Sequence, residues 1–556
     1  MSILTKVLPS VEKCFLDETI EQKPALTNVS MLANERLSFQ LAYTCDDISE
    51  SPKLYASLSV AGPLAEYVKI SKIELVPVTL AAYPQSHDDN YLRTTPGLYP
   101  DLLIPYKPGD VLAVAYGQLR SVLVTIENTD GIAPGEYPVE LTVTAGEKTS
   151  TSVVTVKVVD AMLPPQTLIH TQWFHNDCLA TYYDTDIFSE RHWEIIGNYM
   201  KAARRCGINM ILTPVLTPPL DTAVGHERPT VQLVDITVHE GTSGESRYSF
   251  GYDKLDRYVQ LALDAGMEYF EISHLFSQWG AIHAPKVMAT VISGGVSEYR
   301  RIFGWETDAC GDEYRGFIRE FTAGLIAHMR ELGLDKQCWF HISDEPSLEQ
   351  LESYTKAKSI VADLLEGYKC MDALSSYEFY ETGACGTPIP ANNHITPFIE
   401  HNVPDLWTYY CCGQNKDVSN RFVAMPGQRT RILGAQLYKY DIKGFLQWGF
   451  NFWYSQGSLH TLNPFTDTCG DYFVPSGDTM SVYPGEGGKA LYSLHAVNFY
   501  EALQDMRAFQ LLGEKLGRDA VVSLIDEDCD SPMTFASYPH SQEYLLSLRE
   551  RVNSLL

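Results

Sequence analysis

At 556 residues the chain is too long for one ordinary core, so two or three domains are expected. Hydrophobic residues at 45% and charged residues at 20% give a globular balance that excludes disordered and fibrous classes. A net charge of -28 repels phosphates and argues against nucleic-acid and anionic-membrane partners.

The start, Met1-Ser2-Ile3-Leu4-Thr5-Lys6, lacks the charged opening and apolar stretch of a secretory signal. No apolar run approaches the roughly 20 residues that span a bilayer, so no membrane insertion is expected. The 12 cysteines are irregularly spaced, and Cys206, Cys338 and Cys370 fall in apolar segments that suit buried thiols. A reduced, cytoplasmic protein is the expectation.

Residues 1–163 read as a β-sandwich domain. Polar and apolar residues alternate over 37–43 and 138–144, and again over 151–159 after a turn at Gly146-Glu147-Lys148, which makes the last two a hairpin. Pro164-Pro165 marks a linker. Residues 164–515 then alternate apolar strands with amphipathic helices. Strands are predicted at 168–173, 208–213, 267–273, 337–343, 368–374, 405–411, 421–425 and 444–449. Helices are predicted at 191–206, 252–265, 313–332, 348–365 and 428–440. About eight such units define a (β/α)8 TIM-type barrel. Residues 376–397 are irregular. A helix over 491–512 closes the barrel, and 516–556 is a C-terminal helical extension packed on its outside, ending in a helix over 542–556.

The most informative stretch is Cys338-Trp339-Phe340-His341-Ile342-Ser343-Asp344-Glu345-Pro346. It reads as a buried strand that stops on two adjacent carboxylates, with proline closing it. Acids at the carboxyl end of a barrel strand are where catalytic groups sit. A helix N-terminus accounts for one acid there but poorly for two. The other strand ends supply His175 and Asn176, then His274, Gln278 and Trp279, then Tyr409 and Tyr410 on the sixth strand, then Trp448 and Trp453 on the eighth. Aromatic rings stack on sugar faces, and amides and histidines bind hydroxyls, so these are the expected substrate contacts. Tyr409 and Tyr410 point to opposite faces, so at most one lines the pocket.

Spacing constrains the mechanism. Two carboxyls that flank a glycosidic bond stand about 5–5.5 Å apart in retaining enzymes and about 6.5–9.5 Å apart in inverting ones. Neighbours on one strand end cannot easily straddle a sugar. They can serve a substrate-assisted reaction in which the sugar's own 2-acetamido oxygen is the nucleophile. Glu345, with the longer reach, is then general acid and base. Asp344 orients the acetamido group and stabilises the oxazolinium ion. A hydroxyl of Tyr409 or Tyr410 aligns the acetamido oxygen.

The acid pair in His341-Ile342-Ser343-Asp344-Glu345-Pro346 resembles that of glycoside hydrolase family 123, the β-N-acetylgalactosaminidases. So do Tyr440-Asp441-Ile442-Lys443-Gly444-Phe445-Leu446-Gln447-Trp448-Gly449 and Glu501-Ala502-Leu503-Gln504-Asp505-Met506-Arg507. The resemblance implies a β-sandwich followed by a (β/α)8 barrel. It also implies exo-cleavage of terminal β-linked N-acetylgalactosamine from glycosphingolipid-type glycans by the acetamido-assisted route, with retention. No metal or organic cofactor is expected. Three rivals stand beside it. One is the same chemistry on N-acetylglucosamine. The second is a metal-dependent barrel hydrolase with ligands among His175, Asp177, His274, Asp344 and Glu345. The third is a glycan-binding protein without catalysis. His-Glu-x-x-His, phosphate-loop and Gly-x-Ser-x-Gly motifs are absent.

Overall fold

The computed structural model describes residues 2–46, 53–240 and 246–556. Its N-terminal part is two five-stranded sheets. One runs Ile3–Pro9, Arg36–Cys45, Arg120–Glu127, Val68–Val78, Gly97–Pro105 across the sheet. The other runs Asn28–Leu32, Lys148–Val159, Gly135–Ala145, Lys53–Ala61, Leu112–Ala115. The expected hairpin pairs Gly135–Ala145 with Lys148–Val159. Phe39, Leu41, Val122 and Val124 of one sheet meet Val139, Leu141, Val154 and Val156 of the other in a dry core.

Eight parallel strands follow, one to eight in chain order: Ile169–Gln172, Met210–Thr213, Tyr269–Ile272, Cys338–Phe340, Lys369–Ala373, Thr387–Ile389, Trp407–Tyr409 and Gly444–Gln447. Strand one lies between two and eight. Strands six and seven meet through one bridge, where Tyr409 N donates to Pro390 O at 3.1 Å and Asn392 N to Tyr409 O at 2.9 Å. The sheet is thus a nearly closed barrel.

Two elements differ from the sequence pattern. Residues 421–425 are not a strand: they form a buried connection whose Val423 and Met425 carbonyls are bonded by Lys13 Nζ at 2.6 and 2.9 Å. An apolar run looks the same to periodicity whether a sheet or a distant lysine satisfies its backbone. The missing strand is Thr387–Ile389, inside the stretch read as irregular, so the strand carrying Tyr409 is the seventh rather than the sixth. With three residues and a proline at its centre, Thr387–Ile389 offers no strand pattern.

Helices Glu190–Arg205, Asp253–Asp264 and Asp312–Glu331 lie where periodicity put them. The helix expected over 348–365 is shorter, Leu351–Ser359, started by a capping box between Ser347 and Gln350. A four-stranded sheet of Asp235–Glu240, Ser246–Gly251, Val287–Ser293 and Val296–Phe303 was not anticipated. It is an excursion from the loops after strands two and three. Its Tyr248, Phe250 and Phe303 pack on Phe317, Phe321 and Tyr314 of helix Asp312–Glu331.

The parts are stitched together by buried polar contacts. Segment 79–96 leaves the N-terminal sheets and lies on the loop after strand seven. There Asp88 takes both terminal nitrogens of Arg429 at 2.8 Å each, and Leu92 N donates to Ala424 O at 2.9 Å. Helix Leu494–Leu516 exchanges two hydrogen bonds between Gln504 and the backbone of Arg36. On the last helix, Gln542–Leu555, Arg549 bridges Glu35 at 2.6 Å and Asp505 at 2.7 Å. Among the described residues no helix is long and apolar enough to cross a membrane.

Candidate active site at the barrel mouth

Strand four delivers its acids to the carboxyl end of the barrel. After Phe340 the chain bends, and Glu345 takes a left-handed backbone with φ of 43°. Such a conformation costs about 1–3 kcal/mol in a residue with a side chain, and it persists where the surroundings enforce it. Here Trp279 N holds the Asp344 carbonyl at 2.8 Å, and Ser343 Oγ donates to Ser277 O at 2.9 Å. Asp344 is partly buried and Glu345 is exposed. The Tyr409 hydroxyl donates to Glu345 Oε1 at 2.5 Å. Burial, then the neighbouring Glu345 and Asp221 carboxylates, push the Asp344 carboxyl well above its usual range. Burial and Glu345 likewise push up Tyr409.

Beneath the pair lies a dry ionic ladder. His341 Nε2 donates to Glu271 Oε1 at 2.8 Å, and Nδ1 donates to Asp372 Oδ1 at 3.2 Å. Burial alone would lower the imidazole, but the hydrogen bonds to Asp372 and Glu271 overcome it and lift it to about 10, so His341 is cationic. Glu271 also accepts from Trp173 Nε1 at 2.8 Å and from the Thr171 hydroxyl. Asp372 accepts from Tyr354 at 2.5 Å and from the backbone of Ile342 and Ser343 at 3.1 and 3.3 Å. The His341 ring and the Ile342 and Ser343 amides are thereby fixed before the chain reaches Asp344.

The walls come from several loops. Trp448 Nε1 donates to Asp478 Oδ2 at 3.0 Å, and its ring packs edge-on against Phe452. Burial, opposed by Arg421, raises Asp478 to about 6. Arg421 is itself fully buried and bonded to Gln172, Gln447 and Ser481. Asp221 N donates to Gln278 Oε1 at 3.0 Å, and Trp279 stands half exposed beside it. Tyr83, from segment 79–96, reaches the vicinity of Cys411, Cys412 and Asp478.

Asp344, Glu345, Gln278, Trp279, Tyr409 and Trp448 therefore gather around one mouth. Tyr410 does not: strand alternation turns it outward against Phe445 and Phe499. Trp453 packs edge-on against Tyr182 and Tyr199 of the surrounding helices. His175 spends both ring nitrogens on structure, accepting from Arg228 at 3.0 Å and donating to Trp448 O at 3.2 Å. Burial and the Arg228 charge press it down to about 3. Asp177, two residues on, takes Arg228 through two bonds of 2.8 and 2.7 Å. Asn176 is buried in the first turn of helix Asn176–Tyr182, its carbonyl bonded by His192.

His274 is buried, with both ring nitrogens unpartnered, and stacks on His341 at 4.2 Å. Among the described residues, His274, His341 and Asp372 are the one group able to offer three metal ligands. The fit is poor. The rings lie 15° from parallel, which sets their in-plane lone pairs side by side, whereas a shared ion needs them to converge. Both His341 nitrogens are also committed to carboxylates.

Sequence reasoning missed Asp221, Asp478 and Tyr83, which lie in loops without periodicity, and Arg421, which opens the run misread as a strand. Glu271 carried a readable signal, an acid inside the strand Tyr269–Ile272.

A barrel whose fourth strand ends on paired carboxylates, ringed by aromatic and amide groups, is a carbohydrate-cleaving type of site. The model of the glycoside hydrolase 123 catalytic domain matches residues 173–512, and the chain belongs to that family of glycoside hydrolases. Among solved structures, 100% of the chain overlays 98% of a family 123 glycoside hydrolase from Clostridium perfringens, with TM-score 0.75 and 15% identity. That protein is described for glycolipid glycan hydrolysis; at this identity the likeness shows the fold. A Parabacteroides merdae β-glucuronidase (TM-score 0.31, 11% identity, covering 90% of this chain and 52% of that one) is also similar. So is a Thermotoga petrophila endo-β-1,4-mannanase (TM-score 0.33, 11% identity, covering 62% and 78%). No curated protein matches the sequence.

Proposed function

We propose that the enzyme removes terminal β-linked N-acetylgalactosamine from glycolipid-type glycans, acting from the chain end with retention by acetamido-assisted catalysis. The observation that carries this reading is the adjacency of Asp344 and Glu345 on one strand end, with Tyr409 bonded to Glu345. Like charges so close share a proton rather than both ionise. An acetamido N–H donated to Asp344 favours its carboxylate and leaves the proton on Glu345. Tyr409 occupies Oε1, so Oε2 is the atom free to protonate the glycosidic oxygen. Asp344 then faces the positive oxazolinium ion as the acetamido oxygen closes on the anomeric carbon, and Glu345 takes a proton from the water that reopens the ring. The description of the Clostridium perfringens neighbour supports the substrate class.

The test is hydrolysis of nitrophenyl β-N-acetylgalactosaminide beside the N-acetylglucosaminide and the plain galactoside, with the product anomer followed by NMR. Release from the galactosaminide with a β product first is expected. Comparable cleavage of the galactoside, or an α product first, overturns the mechanism. Preference for the glucosaminide overturns the sugar assignment alone.

A further inference from the structure

The mouth holds two polar atoms that nothing in the protein uses. Asp221 Oδ2 and Gln278 Nε2 are both buried and without partners, and Gln278 as a residue is only 5% exposed. Buried polar atoms are almost always bonded, so a matched pair of orphans on one wall points to a ligand. The pair is also rigidly built. Asp221 N donates to Gln278 Oε1 at 3.0 Å, which fixes the amide and leaves its nitrogen without a partner. Ser458 Oγ holds the Asp221 carbonyl at 2.7 Å. Asp221 and Trp279 both sit in the left-handed region, with φ of 50° and 56°, as does Glu345 opposite them. Strained backbone of this kind clusters at active sites and ligand clamps. The wall stands on the loops after strands two and three, while Tyr409 approaches from strand seven.

Burial, opposed by Arg228 and reinforced by Glu345 and Asp478, lifts the Asp221 carboxyl to about 7. The charged groups facing it are therefore Glu345 and Asp344 from the turn after strand four, Asp478 from the loop after strand eight, and Arg228 from its own loop. Arg228 is already engaged by Asp177 through both bonds, so neutralising it is not the task of Asp221.

We propose that Asp221 and Gln278 bind two neighbouring hydroxyls of the terminal sugar, and that Asp221 is a third functional carboxyl which helps the Asp344–Glu345 pair keep its proton. The inference rests on reading the site as one for a 2-acetamido sugar. A sugar hydroxyl both donates and accepts, which matches an amide N–H beside a carboxyl oxygen. A negative charge on Asp221 also makes loss of the pair's proton harder.

The experiment is the pH profile of kcat/KM, and KM itself, for the full chain on nitrophenyl β-N-acetylgalactosaminide. Asn tolerates the left-handed backbone, so Asp221→Asn keeps the fold while removing the charge. It shifts the alkaline limb down by about one pH unit. Gln278→Ala raises KM about tenfold and leaves the limb in place. A structural role for either residue would not split limb from KM in this way. Turnover by the wild-type chain with a limb moved by less than about 0.2 unit in Asp221→Asn, or an unchanged KM in Gln278→Ala, overturns this inference alone. Failure of the wild-type chain on every 2-acetamido glycoside overturns the substrate reading and this inference together.

Discussion

Replacing His341 by glutamine should destabilise the protein in a pH-dependent way. The imidazolium lies between the buried carboxylates of Glu271 and Asp372, and the change leaves both uncompensated. Its pKa is raised from 6.5 to about 10. A raised pKa contributes stability that is fully present below the unfolded value and fades as pH climbs to the folded one. At ~1.4 kcal/mol per unit, about 4 kcal/mol remains at pH 7 and almost none at pH 10. Breaking a buried ion pair by removing one partner typically costs about 3–5 kcal/mol, which agrees. Urea unfolding followed by tryptophan fluorescence is a direct readout, because Trp173 donates to Glu271. The gap between wild type and His341→Gln should be about 3–4 kcal/mol at pH 7 and shrink by about 1.4 kcal/mol per unit above it. A gap that stays flat between pH 7 and 9, or lies under about 1 kcal/mol at pH 7, refutes a cationic His341.

Glu345→Gln should lose about 10²–10⁴ in kcat on substrates with poor leaving groups and much less on activated aryl glycosides; equal losses on both remove Glu345 as the acid. Asp344→Asn should slow every substrate about 10²–10³-fold, and near-normal single-turnover rates would take it out of the mechanism. Tyr409→Phe deletes the hydroxyl bonded to Glu345, which favours the ionised acid, so the alkaline limb of kcat/KM should move up, opposite in sign to Asp221→Asn. Asp221→Asn should itself be more stable than wild type by about 2–4 kcal/mol at pH 8, since the folded carboxyl, raised to about 7, resists ionisation that the unfolded chain permits. That advantage should vanish near pH 4; calorimetry showing a less stable variant at pH 8 contradicts the burial of an uncompensated carboxyl.

The acid pair was legible because an apolar run that ends on Asp344, Glu345 and Pro346 has few structural explanations. The choice between Tyr409 and Tyr410 needed only the direction of one strand. His175 was readable as polar at a strand end, but its neighbour Arg228 comes from a loop 53 residues away, and that contact turns a candidate ligand into a strut. Asp221 and Tyr83 were beyond reach for the same reason. Their places depend on tertiary contacts, Asp221 with Gln278 and Tyr83 with the loop after strand seven, which no local pattern encodes. The same holds for strand six, whose three residues pair only because strands five and seven flank them.

The segment 79–96 bears on where this protein ends as a folding unit. The catalytic-domain match runs over residues 173–512, but a polypeptide cut to that stretch would carry debts in its interior. Arg429 would lose Asp88, His495 and Tyr483 would lose Asp101 at 2.8 and 2.7 Å, and the Val423 and Met425 carbonyls would lose Lys13. A severed buried ion pair costs about 3–5 kcal/mol and each orphaned buried group about 1–3. Their sum rivals the ~5–15 kcal/mol by which whole domains hold together. The chemistry is local to the barrel mouth, while the cohesion that keeps that mouth in shape belongs to the chain at large.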